Sequence, residues 1–168
     1  GVTGSEWDSA TPDDQYFVEL RRVSKHQIIW GGNYFLDHLT ATRCFLSWDK
    51  MNGTNNMADF ELAWTSFDGS CRRFAMHHFS AGYDAKIHLT QKPVKLYEWI
   101  LANYAKPGWK VLDTHMGSGS IAIACHYFGA YLTATEIDED YFSAACERIE
   151  NETRQMDLFQ ENGGAVVP

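Results

Sequence analysis

At 168 residues, with hydrophobic residues at 45% and charged residues at 21%, the chain matches one ordinary globular domain, which excludes a disordered or fibrous protein. Four scattered cysteines (Cys44, Cys71, Cys125, Cys146) without a C-x-x-C pair argue against a disulfide framework or a zinc site and suit reduced, buried thiols; the absence of a bilayer-length apolar run or a secretory leader pattern predicts a cytoplasmic protein with no membrane contact. The net charge of −8 runs against a nucleic-acid binder, yet the acids gather near the start and from Glu136 to Glu161, whereas Arg72, Arg73, Lys86, Lys92 and Lys95 fall in the middle, so charge excludes neither.

In chain order, Asp13 to Ser24 reads as a helix: Thr11 can cap it, Pro12 suits the first turn, and Tyr16, Phe17, Leu20 and Val23 recur at helical spacing. QIIW at 27–30 is a short apolar run ending at Gly31 and Gly32, a strand opening into a loop. RCFLSW at 43–48, ELAWTSF at 61–67 and RRFAMHHF at 72–79 give three more strands. The polar KMNGTNNMADF between the first two carries turn chemistry at Asn52 and Gly53. Pro93 begins a helix with Val94, Leu96, Tyr97, Trp99, Ile100 and Tyr104 mostly on one stripe, stopped by Lys106-Pro107-Gly108. WKVLD at 109–113 is a strand, GSGS at 117–120 a glycine loop, IAIACHYF at 121–128 a helix ended by Gly129, YLTATEI at 131–137 a strand, and 140–152 a helix. The remainder, 153–168, lacks periodicity and reads as a flexible tail. Strands alternating with helices predict an α/β fold, a mostly parallel sheet flanked by helices, in a single domain over 1–168.

The most informative stretch is strand, glycine turn, helix, strand and acid. Glycines let a backbone approach a ligand closely, and a carboxylate accepts hydrogen bonds from ribose hydroxyls. The parts here are Asp113, Gly117, Gly119 and Glu136, with Ala122 at the third position of a G-x-G-x-x-G pattern. Asp113 at the strand end would repel a pyrophosphate and welcome an ammonium. A ligand with a ribose and a cationic amino-acid moiety is S-adenosylmethionine. The alternative is a tight turn with Glu136 capping the next helix, and the ordered series of acid, glycines and acid favours the ligand.

The run TQKPVKLYEWILANYAKPGWKVLDTHMGSGSIAIACHYFGAYLTATEIDEDYFSAACERI resembles the C-terminal half of the β-class DNA amino-methyltransferases, in which T-x-K-P precedes D-P-F-x-G-S-G. The upstream QIIWGGNYF, CFLSWDKMNGTNN and ADFELAWTSF resemble phage and prophage adenine methylases of that class. The resemblance implies a Rossmann-like methyltransferase fold and S-adenosylmethionine as cofactor. It places Thr90 and Lys92 in the motif closing over the cofactor, Asp113, Gly117, Ser118, Gly119 and Ser120 in its loop, Glu136 on the ribose and Ile137 against the adenine. It implies methyl transfer to adenine N6 in double-stranded DNA within a bacterial or phage-infected cell, in a restriction-modification setting. Cytosine-N4 transfer is the alternative, followed by an inactive cofactor-binding or DNA-binding module; a homodimer is a further expectation. One departure is Thr114-His115 where the family has Pro-Phe, an imidazole in place of an aromatic wall.

The larger departure is catalytic. The family frees the lone pair of the exocyclic amine with an Asp, Asn or Ser followed by Pro-Pro and an aromatic, and no Pro-Pro occurs in this sequence. Trp7-Asp8 lies in the corresponding region but lacks the prolines. No catalytic residue can be assigned, and the expectation is that an N-terminal strand bearing that motif precedes Gly1, with a naturally truncated or inactive protein as the alternatives. For substrate, Trp30, Asn33 and Tyr34 could line a target-base pocket or simply pack a strand end, and Lys50, Asn52, Thr54, Asn55 and Asn56 could meet phosphates or base edges or form a solvated loop. Arg72 and Arg73 read as strand-edge charges. His77 and His78 point to opposite faces of a strand, so no metal site is expected. His88 stands two residues before Thr90, and the stretch from His77 to His88 is short for a recognition domain, which leaves target specificity to other loops, a second subunit or none.

Overall fold

A computed structural model describes residues 11–53, 58–77, 87 and 91–162, the side chains of 155–162 excepted. The chain divides into two compact units, Gly1–His77 and His78–Pro168. Trp7-Asp8, Thr54, Asn55, Asn56, His78, Lys86, His88 and Thr90 lie outside the described residues.

The first unit opens with helix α1 (Asp14–Val23). Its cap is Asp13 rather than Thr11: the Asp13 carboxylate accepts the Tyr16 N–H at 3.0 Å, the N3 amide that a capping side chain satisfies best. Phe17 is the residue α1 buries, stacked on His38 with centroids 4.9 Å apart. Four strands follow: β1 (Ile28–Trp30), β2 (Phe45–Asp49), β3 (Phe60–Thr65) and β4 (Arg72–Ala75). Their order is β1-β3-β2-β4. β3 is antiparallel to both β1 and β2, while β2 and β4 are parallel, so the sheet is mixed. The α/β expectation stands, with fewer parallel pairs than the sequence suggests in this unit. The reason is the connection: β2 ends at Asp49 and β3 begins at Phe60, a shorter span than a parallel crossover needs. Alternation on β2 buries Leu46 and Trp48, Leu46 lying opposite the buried Ala63 of β3. The polar edges of this core are satisfied: Trp48 Nε1 donates to Met76 O, Trp64 Nε1 to Thr40 O, and Thr65 Oγ1 to Cys44 O.

In the second unit, α2 (Val94–Tyr104) leads to β5 (Lys110–Asp113), α3 (Ser120–Phe128), β6 (Tyr131–Ala134) and α4 (Glu139–Asn162). β5 and β6 pair in parallel, as a strand-helix-strand crossover requires. Leu101, Ala124 and Cys125 form the buried centre, with Val94, Tyr97, Val111, Phe128 and Leu132 packed around it, so α2 and α3 lie against the alternate residues of both strands. Gly129 ends α3 in the left-handed conformation and accepts its place as a C-cap, its N–H bonded to Cys125 O and His126 O. Helix α4 is longer than its sequence pattern suggests and runs to Asn162, into the stretch read as a tail. Residues 153–162 contain no Gly or Pro to interrupt it. Asp138 caps α4, its carboxylate accepting the N–H groups of Asp140 and Tyr141 at 3.0 Å.

No disulfide forms among the described residues. Cys44 and Cys125 are buried as expected, but Cys71 is exposed and Cys146 half-buried. Burial pushes the Cys125 thiol up to about 11, which keeps it inert. Among the described residues no helix is long and apolar enough to cross a membrane.

Candidate functional site

The strand ends of β5 and β6 carry the site. Beyond their last pair, Asp113 with Ala134, the two chains stay joined as the Thr135 N–H bonds Asp113 O and the Met116 N–H bonds Thr135 O, both at 2.9 Å. The next link is made by a side chain: Gly117 N–H donates to Glu136 Oε2 at 2.8 Å. The other oxygen, Oε1, accepts from the backbone N–H of Ile137 at 3.0 Å and of Asp138 at 3.2 Å. Glu136 therefore organises the mouth of the loop rather than capping α4, the role Asp138 takes. A carboxylate offers about four lone-pair sites. With these three donors in place, it retains room for a hydroxyl.

Asp113 is set at the base of this loop. Its carboxylate accepts the His115 N–H at 3.0 Å. Burial raises its pKa above the ordinary value, and the bond from His115, the positive charge of Lys92 and His115 itself oppose that rise only in part; Glu136 adds to it. A half-buried carboxylate whose charge is incompletely compensated is suited to a cation. Lys92 is close enough to Asp113 for its positive charge to be felt there.

The glycines serve two different needs. Gly117 and Gly119 both have positive φ, 54° and 74°. A Cβ on Gly119 would also sit 2.8 Å from Ile149 Cδ1 and 3.4 Å from Ala145 Cβ, so α4 can approach the loop only because no side chain intervenes. Ser118 and Ser120 are buried, with their hydroxyls 3.1 Å apart. Ile137, directly after Glu136, is 79% exposed, an apolar surface beside the carboxylate. His115 is exposed and its Nδ1 lies 3.0 Å from Thr114 Oγ1, so the Thr-His pair forms one polar unit where the family pattern has Pro-Phe.

Sequence reasoning missed Arg148. This buried side chain of α4 donates through Nη1 to Ser118 O and to Ser120 Oγ, each at 2.9 Å. The signal was present as a charged residue on the helix stripe that faces the loop, but charged residues on helices usually face solvent.

The candidate substrate residues belong to the first unit. Trp30 ends β1 and is half-buried; Asn33 and Tyr34 are exposed on the short turn Gly32–Tyr34, Tyr34 at 77%. That turn leans on the sheet through Gly32, where a Cβ would fall 2.5 Å from Trp64 Cβ. Lys50 is held by Glu61 at 2.8 Å and lies 5.4 Å from the centre of the Trp48 ring, so a phosphate would have to compete for its ammonium. Arg72 and Arg73 stand on the edge strand β4, and Arg73 faces Asp49 at 3.6 Å. Among the described residues no cluster of His, Cys, Asp and Glu could hold a metal ion.

Comparison with known proteins is consistent across methods of likeness. The family model described as DNA methylase, of the N6/N4 type, matches residues 25–147. The type II methyltransferase M.HpaI of Haemophilus parainfluenzae is 33% identical over 76 residues, 45% of this chain and 24% of its own length. The chain thus aligns with about a quarter of that curated relative. Among solved structures, the M1.HpyAVI–SAM complex matches with a TM-score of 0.66 at 21% identity, covering 82% of this chain and 83% of that one. The PvuII DNA methyltransferase, cytosine-N4-specific, matches with a TM-score of 0.56 at 12% identity, covering 84% and 76%. These two likenesses show the α/β methyltransferase fold.

Proposed function

The chain belongs to the N6/N4 DNA methylase family, and from that premise we propose that it binds S-adenosylmethionine at the loop from Asp113 to Ser120 and serves methyl transfer to adenine N6 in double-stranded DNA. The observation that carries the reading is the bond from Gly117 N–H to Glu136 Oε2, which joins the glycine loop to the acid on the next strand end.

Each residue then has a task set by its chemistry. Asp113, short of compensating charge, meets the ammonium of the methionine moiety. Glu136, held by three amides, accepts a ribose hydroxyl. Ile137 offers an apolar wall to the adenine. Gly117 and Gly119 give the loop its positive-φ path, Gly119 also admitting α4 beneath it, and Lys92 moderates the charge of Asp113; Thr90 joins it by resemblance to the motif. Bound S-adenosylmethionine supplies a methyl group on a positively charged sulfur. That group would pass to the exocyclic amine of the base, which would give up one proton while the electron pair of the carbon–sulfur bond stays with sulfur. No residue described in this chain is assigned to orient the amine.

Adenine is favoured by the resemblance of 27–35 and 44–67 to phage adenine methylases. Cytosine N4 is the second reading, favoured by the fold shared with a cytosine-N4-specific enzyme. Trp30, Asn33 and Tyr34 are the candidates for the base, and a homodimer is the expected assembly. Transfer of tritiated methyl to unmethylated DNA, with nucleoside analysis, tests the proposal in the gene product that contains this chain. N6-methyldeoxyadenosine is the expected product. N4-methyldeoxycytidine would replace the first reading by the second, and no incorporation by a protein that binds the cofactor would reduce the chain to a binding module.

A further inference from the structure

Helix α4 turns a charged residue inward. Ala145, Arg148, Ile149 and Glu152 recur at i, i+3, i+4 and i+7 and so share one face. Ala145 is fully buried and Arg148 is 9% exposed. A guanidinium is seldom buried without partners. Here Nη1 reaches Ser118 O and Ser120 Oγ at 2.9 Å, and Nε reaches Glu152 Oε1 at 3.1 Å. An apolar side chain could fill this space without desolvating a charge, so packing alone does not account for an arginine. Two of these acceptors belong to the loop and the first turn of α3. Because the Ser118 and Ser120 hydroxyls are themselves 3.1 Å apart, the same cation fixes both rotors. Gly119 sits between them over Ile149, at a distance no Cβ would permit.

We propose that Arg148 is the positioning residue of the methyl-donor loop: from α4, its guanidinium locks residues 118–120 in the conformation that the donor binds. The proposal rests on the reading of that loop as the S-adenosylmethionine site. Without the guanidinium the loop samples other conformations, and apparent affinity falls by the fraction of chains that remain competent.

Titration calorimetry of S-adenosylmethionine into the full chain tests this, with wild type, Arg148→Lys, Arg148→Ala and Glu152→Gln compared and thermal melting recorded for each. Lysine keeps the charge but lacks the planar fork, and should bind the donor about five- to tenfold more weakly. Alanine should lose more than about tenfold, and millimolar methylguanidinium should restore part of that loss where potassium chloride of equal ionic strength does not. Glu152→Gln removes the charge that pairs with Arg148 away from the loop and should stay within about twofold of wild type. Should Arg148→Ala fail to fold, the lysine variant carries the test. Wild-type affinity in the arginine variants, or an equal loss in Glu152→Gln, overturns the positioning role and leaves the site reading intact. A folded wild type that binds no donor overturns both.

Discussion

A carboxyl group that burial pushes above its ordinary pKa weakens the fold once it ionises, and Asp113 is such a group. Below the ordinary value of 3.8 both folded and unfolded chains carry the proton, so nothing is lost. As pH rises from there to the raised value, the unfolded chain gives up its proton first and stability falls. Asp113→Asn removes that penalty while its amide oxygen can still accept the His115 N–H. The variant should therefore melt higher than wild type at neutral pH without ligand, the gap closing in acid, as melting curves across pH will show. The same substitution should abolish donor binding, because the charge is what the ammonium requires. Asp113 and Glu136 were legible in the sequence, since acids at successive strand ends around glycines leave few other readings. Arg148 was not legible, because nothing in its spacing separates an inward cation from a solvated one. Ser118 and Ser120 were legible as loop residues but not as buried ones, a distinction that depends on the α4 side chain beneath them.

The elements themselves followed from periodicity, and the departures arise where a tertiary partner or a specific amide decides. The start of α1 shifts to Asp13 because that carboxylate reaches the Tyr16 N–H. The mixed sheet of the first unit reflects a connection from β2 to β3 too short for a parallel crossover. Strand β6 ends at Ala134, earlier than the apolar run suggests, because Thr135 and Glu136 are committed to the loop through the Met116 and Gly117 amides. At this scale the contact between α4 and the glycine loop is the most sensitive. Gly119→Ala faces both the strain of φ 74° and a side chain 2.8 Å away. It should cost about 1–3 kcal/mol of stability in denaturant unfolding, and an Ile149→Ala change in the same chain should recover part of it by opening the space. Recovery of donor binding in the double variant, measured beside stability, would show that the loop is displaced and not merely less stable. A Gly119→Ala protein as stable as wild type would contradict the packing described here.

For the molecule as a whole, the second unit holds the glycine loop proposed to bind the methyl donor, whereas the sequence lacks the Pro-Pro-aromatic motif with which the family handles the base. Family membership was legible from residues 90–149, where motif and spacing coincide, and the match over 25–147 bears it out. The choice between adenine and cytosine was not legible, because both amines demand the same chemistry and differ only in the shape of a pocket that no motif here specifies. A net charge of −8 further predicts that any DNA affinity comes from a few local contacts; its dependence on salt should then be shallow, roughly one power of salt concentration for each phosphate met. Every part of this account stands on the donor site. Calorimetric titration of S-adenosylmethionine into the folded chain, with Asp113→Ala and Glu136→Ala alongside, is its most direct test. The account predicts one donor bound per chain and no measurable binding in either variant. A folded wild type that gives no binding, or variants that bind as wild type does, would contradict it.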